Sequence, residues 1–251
     1  MSDSVSRFSD RVANYVKYRP DYPREIVPFL AETCGLTSGS VIADVGCGPG
    51  ISSKMFLENG NRVIGVEPND AMRKAAQEYL AGYDNFKIVD GRSDATTLPD
   101  SYVDFVTAAQ AFHWFDPTTT RREFDRIIKP SGHIVLIWNL RLEDATPFLI
   151  EYEKFIRRYS NDYVELRHNN ITDVEVANFL GPHFGKKVFA NKQIFDFEGL
   201  KGRLLSSSYI PSNTHPGYSK MIDELRDLFA KHAVADRIEI LYDTIIYYSV
   251  A

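Results

Sequence analysis

The sequence predicts a doubly wound α/β domain whose sheet is mostly parallel and closes on an antiparallel strand. Three observations carry that expectation. Short β-branched runs alternate with helical patterns from residue 41 to residue 138, the rhythm of a parallel sheet. The run Val103–Ala109 is apolar nearly throughout, as a strand buried on both faces must be. The chain then leaves that rhythm for a helical stretch and returns to strand character, ending on a run rich in Ile and Tyr from about 237 to 250.

Taken in order, residues 5–34 read as two short helices broken at Tyr18-Arg-Pro-Asp-Tyr-Pro23, with Pro23 suited to a first helical turn. Residues 1–34 are thus expected to form an N-terminal helical cap segment. Val41–Val45 is the first strand and runs straight into Gly46-Cys-Gly-Pro-Gly50. A helix begins near Ile51 and continues to about Asn59, closed by Gly60. Arg62–Val66 is the second strand; it ends at Glu67-Pro68, and Asn69 or Asp70 caps a helix that includes Met72 and runs to Leu80. Phe86–Val89 is the third strand, followed by the polar loop 90–100, and Val103–Ala109 is the fourth. Asp116-Pro117 opens the next helix, and Lys129-Pro-Ser-Gly132 stops it before a fifth strand, Ile134–Trp138. Helices at Phe148–Tyr159 and Asp173–Leu180 have no strand between them, so 143–185 reads as an inserted helical lid. Lys187–Phe197 returns to strand, helices follow at about 198–208 and 217–232, and the last strand ends a single domain spanning 1–251.

Composition narrows the partners. Of 251 residues 44% are hydrophobic and 25% charged, with a formal net charge of −5, the profile of a soluble globular protein. Lys and Arg are scattered, so no basic stripe argues for nucleic acid. Two cysteines, Cys34 and Cys47, cannot build a disulfide framework, which suits a reduced, cytoplasmic protein. No long apolar run suggests a membrane span or a secretory leader. The histidines show no metal-ligand spacing, and no metal is expected.

In an open α/β sheet a ligand lies beyond the carboxyl ends of the strands. Each of the first four strand tips carries a suitable residue. The first offers Asp44 and the turn of Gly46, Cys47, Gly48 and Gly50, where missing Cβ atoms let a ligand approach the backbone and the helix N-terminus. Glu67 lies about 20 residues on, where a carboxylate accepts hydrogen bonds from ribose hydroxyls. Ser93-Asp94-Ala95 supplies an amide edge and a carboxylate for an adenine amino group. Gln110-Ala111-Phe-His113-Trp114 faces the reacting end. The pattern is G-x-G-x-G rather than the dinucleotide G-x-G-x-x-G, and Asp44 stands just before it. A carboxylate there repels a pyrophosphate and suits an ammonium. Electrostatics therefore favour S-adenosyl-L-methionine over a nicotinamide dinucleotide.

On these residues the chain resembles the class I S-adenosylmethionine-dependent methyltransferases, in particular the small-molecule group typified by trans-aconitate methyltransferase. The matching stretches are Tyr15–Pro23, Ala43–Gly50, Gly65–Pro68, Asp94–Pro99 and Ala109–Phe115; beyond about residue 140 only the general layout is similar. The resemblance implies a Rossmann-like seven-stranded sheet with its last strand inserted antiparallel. It also implies cofactor contacts at Asp44, Gly46, Gly48, Glu67, Asp94 and Gln110, flanked by Pro68, Met72 and Ala111, with Tyr18 and Arg19 closing over the methionine carboxylate. Methyl transfer to a small molecule, with S-adenosyl-L-homocysteine as product, follows. An acceptor carboxylate follows only from the resemblance and from Arg141, which with Asn139 lies at the fifth strand's tip.

Several residues keep two readings. Asp44 is either a turn aspartate capping the next helix or a ligand contact. His113 is either satisfied by a local carbonyl or a catalytic imidazole in the pocket, with Trp114 as pocket wall or core. Cys47 matters for its size rather than its thiol. A nicotinamide-dependent oxidoreductase and a non-catalytic cofactor-binding partner subunit stand as alternatives to the enzyme.

Overall fold

The computed structural model describes residues 16–160, 171–207 and 209–250; Tyr15, the start of the N-terminal cap and part of the lid span lie outside them. The chain forms one seven-stranded sheet in the order β3-β2-β1-β4-β5-β7-β6. The strands are β1 (Val41–Val45), β2 (Arg62–Val66), β3 (Phe86–Val89), β4 (Val103–Ala109), β5 (Ile128–Arg141), β6 (Phe184–Phe195) and β7 (Ile238–Ser249). β1 to β5 pair in parallel, and β7 is antiparallel to both its neighbours. The order reverses between β1 and β4, so the carboxyl ends of those strands open the crevice expected of such sheets.

Helices α1 (Ile26–Cys34) and α2 (Ile51–Glu58) cover one face, where Ile26, Leu30 and Phe56 meet Ile42, Val63, Phe105 and Ile137. The other face carries α4 (Pro117–Ile127), whose Phe124 and Ile127 pack on Ala43, Val106 and Leu136. Between β2 and β3 lies α3 (Asp70–Tyr79), capped by the Asn69 side chain, which accepts from Met72 N. Each fully buried Leu, Ile or Phe adds about 1.5–3 kcal/mol of hydrophobic stabilisation.

Three departures from the sequence reading have local causes. β5 begins at Ile128 rather than Ile134 because Lys129-Pro-Ser-Gly132 does not break the pairing. It forms a bulge, with Val103 opposite Ile128 and Phe105 opposite His133. Lys129 Nζ donates to Asp104 at 2.8 Å across that irregularity. β6 ends at Phe195, because the Asp196 side chain accepts from Gly199 N and starts α7 (Phe197–Leu205). The residues alone suggest that the final strand adds at an edge. It lies instead between β5 and β6, as the resemblance implies.

The interval 143–185 divides between two cores. Its first helix, α5 (Pro147–Tyr159), packs with α7 and α8 (Tyr218–His232) around Tyr152, Leu200, Leu225 and Tyr242. Its second, α6 (Asp173–Leu180), lies on the main sheet, where Val176 and Phe179 join the core with Phe112 and Phe124. Helices α5, α7 and α8 therefore form one helical module, assembled from both sides of β6, and α7 reaches the crevice through Arg203. The N-terminal segment is tied to the sheet next to this module. Asn139 and Asn191 donate to the Asp21 carbonyl, and Gln193 donates to that of Tyr18.

Candidate active site at the switch point

The glycine turn is built from beneath. Asp44 is fully buried. Its Oδ2 accepts from Ser52 Oγ and Ser53 Oγ, each at 2.6 Å, and its Oδ1 from Thr107 Oγ1 at 3.0 Å. These hydroxyls come from the first turn of α2 and from β4, so Asp44 locks strand, turn and helix together rather than lining the crevice. Burial raises its carboxyl above the ordinary aspartate value, against the pull of the three hydroxyls. Cys47 is packed so closely that a Cβ on Gly65 would lie 2.8 Å from its sulfur. Its thiol is pushed well above the usual range by burial and then by Asp44 and Glu67, which favours the neutral thiol over a thiolate.

The turn's glycines differ in what a side chain would meet. A Cβ on Gly46 would lie 2.7 Å from Ala111 Cβ, and one on Gly50 2.5 Å from Leu80 Cδ1. Those two serve packing. Gly48 has φ +54° and nothing within 4 Å of a built Cβ, so it alone of the three presents bare backbone to open space.

Glu67, at the tip of β2, closes over the turn. Its Oε2 accepts from Gly48 N at 3.0 Å and its Oε1 from Asn69 N at 2.9 Å. Burial raises its carboxyl, opposed by those two amides. Each oxygen keeps a lone pair for a hydroxyl donor. Pro68 lies half-buried beside it and Met72 is buried.

At the tip of β4, Gln110 adopts φ +53°, a left-handed conformation that non-glycine residues seldom take without cause. Its Nε2 donates to the Asn139 carbonyl at 3.0 Å. Its Oε1 is buried with no hydrogen-bond donor among the described residues. The crevice is lined by Arg19, Tyr22, Gly48, Gln110, Asn139 and Arg203, among others.

Other expected residues lie elsewhere. The ring of Tyr18 packs on α7, where a Cβ on Gly202 would meet it at 2.2 Å. Asn139 reaches the crevice, but its side chain is engaged by the Asp21 carbonyl, Asn191 and Thr244. Arg141, expected to meet the acceptor, is ion-paired with Glu153 and lies over the Tyr152 ring. His113 is half-buried on a short 3-10 turn, Phe112–Trp114, and its ring lies tilted at 4.8 Å from that of Trp114, which is 42% exposed. Neither residue lines the crevice.

Asp94 is an exposed partner of Arg92 at 3.1 Å, and Ser93 Oγ bonds Thr120 Oγ1 at 2.9 Å. The loop that carries them is held by Glu123, which accepts from Thr96 N at 2.8 Å and Thr96 Oγ1 at 2.5 Å. Arg126 beside it, helped by Thr96, brings the Glu123 carboxyl down to about 2. A depressed carboxyl adds stability above its unfolded value and loses it as pH falls towards the folded one. Glu123→Gln is therefore expected to flatten the acid limb of a stability–pH profile between about 4.5 and 2, measured by urea unfolding. An unchanged limb would refute the assignment.

Among the described residues no group of three or more His, Cys, Asp or Glu could hold a metal ion, and no helix is long and apolar enough to cross a membrane. Sequence reasoning missed Tyr22 and Arg203. The signal for Arg203 was present: it sits three residues after Leu200 and next to Leu204, on the apolar stripe of its helix.

The profile of the methyltransferase domain family matches residues 43–136, from β1 into β5. Sequence relatives extend the likeness over most of the chain. A methyltransferase-like protein of Schizosaccharomyces pombe is 27% identical over 98% of this chain and 95% of its own length. A methyltransferase of Mycobacterium tuberculosis is 28% identical over 92% of this chain and 88% of its own. Among solved structures, a protein assigned as a type II methyltransferase from Anaeromyxobacter dehalogenans superposes with a TM-score of 0.69 at 21% identity, covering 92% of this chain and 97% of that one. The sheet and its C-terminal helices thus share one fold with that structure.

Proposed function

We propose that the chain transfers the sulfonium methyl of S-adenosyl-L-methionine to a small-molecule acceptor. The observation that carries this reading is Gln110. A strained backbone holds a buried carbonyl oxygen, with no donor among the described residues, at the crevice that Gly48 also lines. That oxygen suits an ammonium donor, and a phosphate has no use for it.

The remaining cofactor contacts in this reading are those the family resemblance implies. Glu67 takes the ribose hydroxyls on lone pairs its two amide donors leave open, and Arg19 pairs with the methionine carboxylate. Ser93, Asp94 and Ala95 border the adenine, with Pro68, Met72 and Ala111 as packing. When bound, the cofactor supplies a methyl carbon: the acceptor's lone pair bonds to it as the carbon–sulfur bond breaks, and that electron pair stays on sulfur. A carboxylate acceptor becomes an ester with no proton to move, whereas a protonated nucleophile releases one. His113 and Trp114 follow Gln110 at the same strand tip but stand outside the crevice lining; for them to take that proton or border the acceptor, the acceptor must extend past Gln110 towards the 3-10 turn. The N-terminal segment and the α5–α7–α8 cover exclude water. Holding the reactants in line in such a site lowers the barrier by up to about 7–11 kcal/mol. Two buried, free cysteines suit a reduced, cytoplasmic setting.

Calorimetry with S-adenosylhomocysteine and with NADH separates the alternatives. Micromolar binding of the first and none of the second is expected. Tight NADH binding alone would assign the crevice to an oxidoreductase. Binding of S-adenosylhomocysteine without transfer to any acceptor would favour the partner-subunit reading.

A further inference from the structure

We infer that the acceptor is an anion held by Arg203, an inference that rests on the methyl-transfer reading above. Arg203 is 8% exposed and lines the crevice from α7. Its Nε donates to Tyr242 Oη at 3.2 Å, and its Nη1 donates to Ser207 Oγ at 3.2 Å and Ser206 Oγ at 3.5 Å. All of these acceptors are neutral. Its Nη2 makes no hydrogen bond among the described residues, and no described carboxylate lies within 4.0 Å of the guanidinium.

The contrast with Arg141 sharpens the point. Both guanidiniums are buried, but Glu153 neutralises Arg141. A buried charge with no counter-ion is costly, and proteins seldom keep one without a use. Arg203 is also held in place. Leu200 and Leu204 anchor its helix, and Tyr242 Oη passes its own proton to Gln193 Oε1 at 2.8 Å, so its lone pairs stay turned to Arg203. Such an arrangement presents a preorganised fork to a planar anion.

Charge counting then selects the acceptor class. Among the described residues that line the crevice two are arginines and none is Asp or Glu; Glu67 stands beside this lining, held on the Gly48 and Asn69 amides and turned to the ribose. With the cofactor bound, Arg19 is spent on its carboxylate and Gln110 on its ammonium. The sulfonium and Arg203 remain, both positive. A cationic acceptor is repelled by both, and a neutral one leaves Arg203 desolvated and unmatched. An anionic acceptor satisfies both charges. A carboxylate and a phosphate share this chemistry.

The test uses the full chain and radiolabelled S-adenosylmethionine. A small-metabolite extract is split at pH 7 on an anion exchanger, and methyl incorporation is followed in the retained and flow-through fractions. Incorporation is expected in the retained fraction, and weak- and strong-acid elution separates carboxylates from phosphates. With the purified acceptor, R203M should raise KM roughly ten- to a hundred-fold, the loss of a charge-assisted hydrogen bond. R203K should recover part of that loss. S-adenosylhomocysteine affinity should stay unchanged in both variants. The melting temperature of ligand-free R203M should not fall, because a buried unmatched charge has been removed. Incorporation in the flow-through alone would overturn the inference, as would an R203M defect shared equally between acceptor and cofactor. Failure of the unaltered chain to bind S-adenosylhomocysteine, or to methylate any fraction, would instead bring down the methyl-transfer reading, and this inference with it.

Discussion

Glu67→Ala is expected to weaken S-adenosylhomocysteine binding by roughly a hundred-fold or more, read by calorimetry. On the proposed reading, two charge-assisted hydrogen bonds to ribose hydroxyls, each worth about 1.5–3 kcal/mol, disappear together. The turn suffers too, because Gly48 N and Asn69 N lose their acceptors. Glu67→Gln separates the two effects. Its amide oxygen can keep one of those backbone donors, but its NH2 group opposes the other, so a loss of about ten-fold is expected. Binding by Glu67→Ala equal to that of the unaltered chain would remove Glu67 from the site.

Asp44→Ala should act chiefly on the fold. Three hydroxyls, from Ser52, Ser53 and Thr107, would face an empty space in a dry interior. Each stranded group costs about 1–3 kcal/mol, and a total loss of about 3 kcal/mol or more in urea unfolding is expected. Asp44→Asn keeps an acceptor and the packing volume, and should cost far less. The pH dependence distinguishes it further. Because burial raises the Asp44 carboxyl, its contribution to stability is full below the unfolded aspartate value and declines as pH rises through the folded one. Asn removes that decline. This slope is opposite in sign to the one Glu123 gives, so the two variants should tilt the stability–pH profile in opposite directions. A small effect of Asp44→Ala would mean that the turn does not depend on this anchor.

Most of the sheet was legible because strand and helix periods alternate in short, well-punctuated segments between 41 and 138. Beyond that point the local signals name elements but not neighbours. Nothing within Arg237–Val250 says whether the strand adds at an edge or between two others, because hydrogen-bond partners over a hundred residues away decide it. In the site, the strand tips could be read because ligand geometry in open sheets is tied to topology. The division of labour among their residues could not. Asp44 was expected at the ligand because its hydroxyl donors lie on two different elements, and Arg141 because Glu153 is met only when α5 folds back. Arg203 sits on an amphipathic helix more than 150 residues after the glycine turn, where an arginine is ordinarily a solvated surface residue.

The place of β7 also sets a timetable for assembly. β6 has only β7 as a neighbour in the sheet. Tyr242 of β7 both enters the core shared by α5, α7 and α8 and holds the Arg203 guanidinium. During synthesis the glycine turn, Glu67 and Gln110 can take their places while the ribosome is still extending the chain. β6, the cover and Arg203 have no sheet to join until residues 238–249 emerge. The strand tips of the crevice can therefore form early, whereas Arg19, whose guanidinium donates to the Ser206 carbonyl, and Arg203 take their places only at the last step. On the proposed reading, a nascent chain has the ribose and ammonium contacts before it has either arginine.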